Sequence, residues 1–233
     1  MKGFRFQLDD NKFGWRETAS LSRSSAPVGN IVETERLVIR LPTPQDVQIT
    51  VEFYKSNREH LQKWEPTRDD EFYTEEYWEN RLKQAEESVR ADRAYSFYLF
   101  LKHTNRLVGI ISLENIERMA FQNGRLGYKV DAHFEAQGLM REGMAAVIGY
   151  AFDMLDLRRL EANVIPENKR SLGLLKRLGF REIGLDEEYL VINGHVSAHV
   201  LTSLTKPRWA KQSAVQDRLA SKEEAGDNGK AVV

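Results

Sequence analysis

Two stretches of the chain join a strand-like run to the start of an amphipathic helix through a loop that could hold an anion. The first is Gln137-Gly-Leu-Met-Arg141, which follows the run Arg125 to Val130 and opens a helix over 139–155. The first turn of a helix carries N–H groups without intrahelical acceptors and the positive end of the dipole. Gly138 allows close approach of a phosphate to the backbone, and Arg141 adds a charge-assisted contact. The second is Asn168-Lys-Arg-Ser171, between the strand-like run Leu160 to Ile165 and a helix ending at Gly179. Asn168 can cap that helix, and Lys169, Arg170, Lys176, Arg177 and Arg181 form a local basic run. Taken singly, each junction is more often a plain connection or a capped surface helix. Together, two helix N-termini after successive strands suit one elongated polyanionic ligand. The first loop lacks the Lys-Ser/Thr of a Walker loop and the three glycines of a dinucleotide fingerprint, which disfavours nucleotide hydrolysis and hydride transfer.

The elements around these loops define a fold class. Leu37 to Leu41 is a short strand stopped by Pro42 and Pro44, and a helical segment runs on from Pro44 through Phe53, Tyr54, Leu61 and Trp64. Thr74 caps a second helix with Trp78, Leu82, Ala85 and Val89 on one face. Tyr95 to Leu101 and Leu107 to Leu113 form a hairpin, and the run Tyr189 to Leu204 forms another around Asn193-Gly194. Three strands joined by short turns must be antiparallel neighbours. The expected architecture is therefore α/β (α+β), a mixed, largely antiparallel central sheet of about seven strands with helices on both faces. Residues 1–31 read as an N-terminal extension, docked through Phe4, Phe6, Phe13 and Trp15; 32–207 is one domain, and 208–233 is a flexible tail too poor in apolar residues to offset its ordering entropy.

Composition narrows the function classes. The 233 residues carry 34 Lys+Arg against 35 Asp+Glu, a formal charge of -1, which argues against a protein that coats nucleic acid. Cysteine is absent, removing disulfides, thiolate nucleophiles and Cys-based zinc sites together. No apolar run approaches the about 18 to 20 residues of a membrane span. A cytoplasmic protein without membrane contact is expected. His195 and His199 share a strand face, but no third ligand accompanies them, so an ordinary histidine pair is favoured and no metal is expected. Tyr54 and Trp64 read as core aromatics ahead of groove walls.

Gln137-Gly-Leu-Met140 after Leu126-Gly-Tyr-Lys-Val130, then Asn168-Lys-Arg-Ser171 and Leu178-Gly-Phe180, resemble the coenzyme A motifs of the GNAT acetyltransferase superfamily. Thr34-Glu-Arg-Leu-Val-Ile-Arg40, Trp64-Glu-Pro66, Leu126-Gly-Tyr128 and His199-Val-Leu201 resemble its RimJ branch, the ribosomal-protein-alanine N-acetyltransferases. The resemblance covers 32–207. It implies a wedge between the strands ending at Val130 and Ile165 that takes the pantetheine arm of acetyl-CoA, the co-substrate. Backbone groups of Tyr128, Lys129 and Val130 would pair with that arm, the N–H groups of Gln137, Gly138, Leu139, Met140 and Arg141 would hold the pyrophosphate, and Asn168 would meet pantetheine from the other wall. The superfamily usually has Gln or Arg at position 135 and Gly or Ala at 140, where this chain has Glu135 and Met140. Glu135 is therefore expected to turn outward and leave the contact to backbone donors.

The implied reaction is acyl transfer from a thioester to the α-amine of a protein N-terminus, a ribosomal protein beginning with alanine. An α-amino group with a pKa near ~7.7 to 8.0 is partly neutral at pH 7, so the demand for a base is mild. Glu114 and Glu65 are the candidate bases, the backbone N–H of Val130 the candidate oxyanion donor, and Ser171 the candidate proton donor to the thiolate. Ser171 is equally a first-turn serine satisfied locally, and Glu114 equally an exposed strand residue. Tyr54, Trp64, Glu65, Asn115 and His199 are the expected acceptor-side residues. Glu65, Asp69, Asp70, Glu71, Glu75, Glu76 and Glu79 against Arg68 form an acidic strip that could attract a basic tail or simply match a helix dipole. The alternative within this chemistry is a small-amine or antibiotic acetyltransferase, and the alternative from a different class is a non-catalytic coenzyme A-binding regulatory module. A monomer or weak dimer without direct nucleic-acid contact is expected.

Overall fold

The computed structural model describes residues 30–212. The strands are β1 (Asn30–Glu33), β2 (Leu37–Arg40), β3 (Tyr95–Leu101), β4 (Leu107–Glu117), β5 (Asn123–Val130), β6 (Arg159–Glu161), β7 (Arg181–Ile192) and β8 (His195–Thr205). The helices ahead of a helical stretch at 206–212 are α1 (Val47–Ser56), α2 (Arg58–Leu61), α3 (Glu75–Arg90), α4 (Leu139–Asp153) and α5 (Lys169–Arg177). The strands form one eight-stranded sheet in the order β1-β2-β3-β4-β5-β6-β8-β7. The pairs β1–β2, β2–β3, β3–β4, β6–β8 and β7–β8 are antiparallel, and β5–β6 is parallel. This is the mixed, antiparallel-dominated sheet expected from the sequence, with β1 as an added edge strand.

The described chain divides into two compact units. One runs through Asn115 and takes in Gly127–Gly149, and the other holds Ile116–Leu126 and the chain from Tyr150. In the first unit β3 sends alternate side chains to opposite faces, as strand geometry requires. Tyr98, Phe100 and Ile110 form one core with Val51, Phe53 and Tyr54 of α1 and Trp78 and Leu82 of α3. Tyr54 stacks on Trp78 with ring centroids 4.8 Å apart, and Trp78 Nε1 donates to the Phe72 carbonyl at 2.8 Å. On the opposite face α4 lies so close that a Cβ on Gly143 would collide with Leu99. The helices thus cover both faces of this unit's strands.

The helical segment read as starting at Pro44 is broken. Pro44–Asp46 is a 3-10 turn, α1 follows it, and α1 and α2 are separated at Asn57. Asn57 is buried and turns its side chain back on the chain: Nδ2 donates to the Phe53 carbonyl at 2.9 Å, competing with helical continuation. Thr74 caps α3 as expected, accepting from the Tyr77 N–H at 3.2 Å.

In the second unit, Asn168 caps α5, and Gly179, at φ 85°, ends that helical segment. The β7–β8 hairpin turns at Asn193-Gly194, both with positive φ, as a two-residue turn of this kind demands. Strand β7 begins at Arg181, well before the apolar run at Tyr189. Arg208 Nε donates to the Gly179 carbonyl at 2.7 Å and Gln212 Nε2 to the Arg177 carbonyl at 2.6 Å, so these two residues engage this unit. The docking residues Phe4, Phe6, Phe13 and Trp15, and the tail beyond 212, lie outside the described residues.

Candidate active site

The loop between β5 and α4 is held in place from several directions. The Asp131 N–H donates to the Val108 carbonyl at 2.9 Å, and its buried carboxylate accepts from the His133 N–H at 2.9 Å and from Arg106 Nη2 at 2.9 Å. The Ala132 N–H donates to Asn57 Oδ1 at 2.8 Å, so the break between α1 and α2 fixes the start of this loop. Gln137 Nε2 donates to the His133 carbonyl at 2.9 Å, and the Gln137 carbonyl accepts from Arg36 Nη1 at 2.9 Å. Gly138 sits at φ 79°, where a side chain would strain the backbone, and its carbonyl accepts the Glu142 N–H at 3.0 Å, starting α4.

Leu139 and Met140 turn into the core, while Gln137, Gly138 and Arg141 are exposed. The larger Met140 is accommodated because Gly109 lies beneath it: a Cβ there would come within 3.0 Å of Met140 Cε. Glu135 places Oε1 3.6 Å from His60 Nε2 on α2. The N–H groups that open α4 are thus presented on a rigid, solvent-facing loop, which fits an anionic group.

Carboxylates beside this loop are kept ionised. Burial alone would raise the Asp131 pKa, but hydrogen bonds from His133 and Arg106 outweigh it and hold the carboxyl below its ordinary value. Glu142, in the first turn of α4, shows the same balance: burial raises its pKa, while Thr34 and Arg36 lower it further. Neither Arg36 nor Glu142 was marked by local sequence spacing, since they lie 106 residues apart.

Of the residues expected at the acceptor, Tyr54 and Glu65 come together, and they do so around Lys129, which was expected to offer only backbone groups to the pantetheine arm. Lys129 Nζ pairs with Glu65 Oε1 at 2.6 Å and lies 5.1 Å from the Tyr54 ring centroid. Burial would lower the Lys129 pKa, but Tyr54 and Glu65 raise it above its ordinary value; burial pushes the Tyr54 phenol up. Tyr54 and Glu65 also line a small surface pocket with Arg58, Leu61, Phe72 and Tyr73. Tyr54 is therefore a core aromatic with one edge at this pocket. Trp64 is 37% exposed and does not line it. Glu114 and Asn115 are exposed on β4, where Asn115 has φ 51° and interrupts regular strand geometry. Of the acidic strip, Glu65 is taken by Lys129, Asp70 pairs with Arg58 at 3.3 Å, and Asp69 accepts from the Phe72 N–H at 3.1 Å.

The second unit holds the remaining residues. Asn168 Oδ1 accepts the Ser171 N–H at 3.1 Å, so this side-chain oxygen serves the helix end. His199 is buried on β8, with Nδ1 3.2 Å from the Ser197 carbonyl and its ring 4.9 Å from that of Tyr189. The Tyr189 hydroxyl accepts from Asn163 Nδ2. Among the described residues, no group of three or more His, Asp or Glu is placed to hold a metal, and no helix is long and apolar enough to cross a membrane.

Residues 36–181 match the acetyltransferase (GNAT) domain. Over 187 residues the chain is 36% identical to the [ribosomal protein uS5]-alanine N-acetyltransferase of Escherichia coli (strain K12), covering 80% of this chain and 96% of that enzyme. The ribosomal-protein-S5-alanine acetyltransferase from Vibrio fischeri superposes with a TM-score of 0.72 at 34% identity, covering 76% of this chain and 97% of that one. Mycobacterium smegmatis RimJ in complex with CoA-disulfide gives 0.71 at 25% identity, covering 78% and 90%. The chain belongs to the GNAT acetyltransferase family and is an N-acetyltransferase. Within that family it is close to the ribosomal-protein-alanine acetyltransferases.

Proposed function

We propose that this protein transfers the acetyl group of acetyl-CoA to the α-amine of a protein N-terminus, that of a ribosomal protein beginning with alanine. The observation that carries the acceptor class is the 36% identity, over nearly the whole of the relative, to the alanine N-acetyltransferase of Escherichia coli. The donor side is supported by the loop ahead of α4, whose opening N–H groups and Gly138 suit a pyrophosphate. Tyr128, Lys129 and Val130 would offer backbone groups to the pantetheine arm, and Arg141 a cation to the phosphates. Asn168 would contribute from the start of α5.

The β5–β6 ladder ends at Arg125↔Glu161. With the pyrophosphate beyond the C-terminal end of β5, the thioester belongs in mid-strand just past that last pair, about 13 Å back along the strand from Val130. A backbone N–H near Leu126–Tyr128 would then serve the oxyanion in place of that of Val130, which would pair with the pantetheine arm.

Acetyl-CoA, when bound, supplies an acyl group activated as a thioester. The amine forms a C–N bond at its carbonyl, the C–S bond breaks, and the thiolate takes up the proton that the amine releases. Glu65 is held by Lys129 at 2.6 Å, which leaves exposed Glu114 as the better candidate to accept that proton, directly or through water. Ser171 is the candidate donor to the thiolate, and it regains its proton through solvent from the one that Glu114 took from the amine.

Thiol release from acetyl-CoA tests the proposal, with a basic peptide beginning in alanine run beside the same peptide blocked at its N-terminus. Saturable release with only the unblocked peptide is expected. Release with polyamines but with neither peptide would point to a small-amine acceptor, and coenzyme A binding without any turnover would point to a regulatory module.

A further inference from the structure

Glu142 poses an electrostatic problem for a coenzyme A site. It stands in the first turn of α4, and its pKa lies below the ordinary value, so it is anionic at neutral pH. A bare carboxylate there would occupy the same positive field that a phosphate needs. In the structure both of its oxygens are engaged from the turn between β1 and β2. Oε1 accepts from the Thr34 hydroxyl and from the Arg36 N–H at 2.8 Å, and Oε2 accepts from Arg36 Nε at 2.7 Å and lies 2.7 Å from Nη2.

The same guanidinium reaches the loop itself. Arg36 Nη1 donates to the Gln137 carbonyl at 2.9 Å. That carbonyl and the Gly138 N–H belong to one trans peptide and point in opposite directions, so turning the carbonyl toward Arg36 aims the Gly138 N–H away from it. A Cβ on Gly138 would sit 3.4 Å from Arg36 Nη2, an ordinary contact, so it is the positive φ and not the guanidinium that calls for glycine here.

We infer that Arg36 is a positioning residue for the pyrophosphate end of acetyl-CoA: it neutralises Glu142 and orients the Gln137–Gly138 peptide without touching the ligand. This rests on the acetyl-CoA assignment above. Its Nε and Nη2 converge on Glu142 Oε2 while Nη1 holds the Gln137 carbonyl, a planar set of directed contacts that a lysine ammonium cannot reproduce.

The test is a double-mutant cycle on the full chain, with coenzyme A affinity read by calorimetry and folding checked by melting temperature. Arg36→Met should weaken coenzyme A binding by about tenfold, because it exposes the Glu142 charge and releases the loop peptide. Arg36→Met/Glu142→Gln should bind about threefold or more better than Arg36→Met alone, because the uncompensated charge is gone. Arg36→Lys, which keeps the charge and loses the fork, should fall between wild type and Arg36→Met; it carries the test if the methionine variant does not fold. A second readout separates positioning from a general structural role. The ratio of kcat/KM for acetyl-CoA to that for acetyl-pantetheine, which lacks the pyrophosphate, should fall in Arg36→Met. Wild-type affinity in a folded Arg36→Met, no recovery in the double variant, or an unchanged donor ratio would each overturn the inference. Absence of coenzyme A binding by the wild-type chain would instead remove the acetyl-CoA assignment on which it rests.

Discussion

At the scale of single residues, paired charges set how the molecule responds to pH and substitution. Asp46, Asp131 and Glu142 all titrate below their ordinary values, since the hydrogen bonds they accept, led by those from Arg40, His133 and Thr34 respectively, together with their arginine partners outweigh the effect of burial. A depressed carboxyl pKa means that the unfolded state binds protons first. The stabilisation is present above the unfolded values near ~3.9 and ~4.3 and is lost as pH falls through the folded ones. Melting temperature should therefore be nearly level between about pH 5 and about pH 8 and drop below about pH 4. The gap between wild type and Glu142→Gln should narrow in acid; a constant gap would contradict the assignment. Lys129→Met should destabilise by about 1 to 3 kcal/mol in denaturant titrations, because Glu65 loses its partner in a largely buried setting. If Glu114 serves as the base, Glu114→Gln should lower kcat by about tenfold or more while leaving the KM for acetyl-CoA in place. An unaltered kcat would return the deprotonation step to water alone.

At the scale of elements, the packing of α4 onto β3 governs the donor loop. Gly143→Ala would push a methyl into fully buried Leu99, at a cost of about 1 to 3 kcal/mol. Because the same helix carries the loop at its start, the KM for acetyl-CoA should rise as well; a stability loss with unchanged KM would show that loop and helix are uncoupled. The helices and core strands were legible because their apolar residues repeat at 3.6 or cluster as β-formers. Thr74 and Asn168 appear as the caps that their residue types suggest. Two elements were not fully legible. Strand β7 starts at Arg181, but Arg181, Glu182, Asp186, Glu187 and Glu188 hide it, since an edge strand held by its partner's hydrogen bonds needs no buried face. The helical segment after Pro44 keeps its apolar rhythm through Leu61 and is broken by Asn57, whose partner at Ala132 is 75 residues away.

For the whole molecule, the element order implied a mixed sheet, and the two strand-to-helix junctions pointed to an anionic co-substrate. The contacts that hold the donor loop were not visible in spacing: Arg36 with Glu142, Asn57 with Ala132 and Arg106 with Asp131 join distant parts of the chain. Composition likewise says nothing of the acceptor amine. The most direct measurement gives the protein acetyl-CoA and a basic peptide with both an unblocked N-terminal alanine and internal lysines, then locates the added acetyl group by fragmentation mass spectrometry. A single acetyl on the alanine α-amine is expected, made faster than the uncatalysed background. Acetylation of the lysine side chains in its place, or none above background from a chain that binds coenzyme A, would contradict the proposed α-amine transfer.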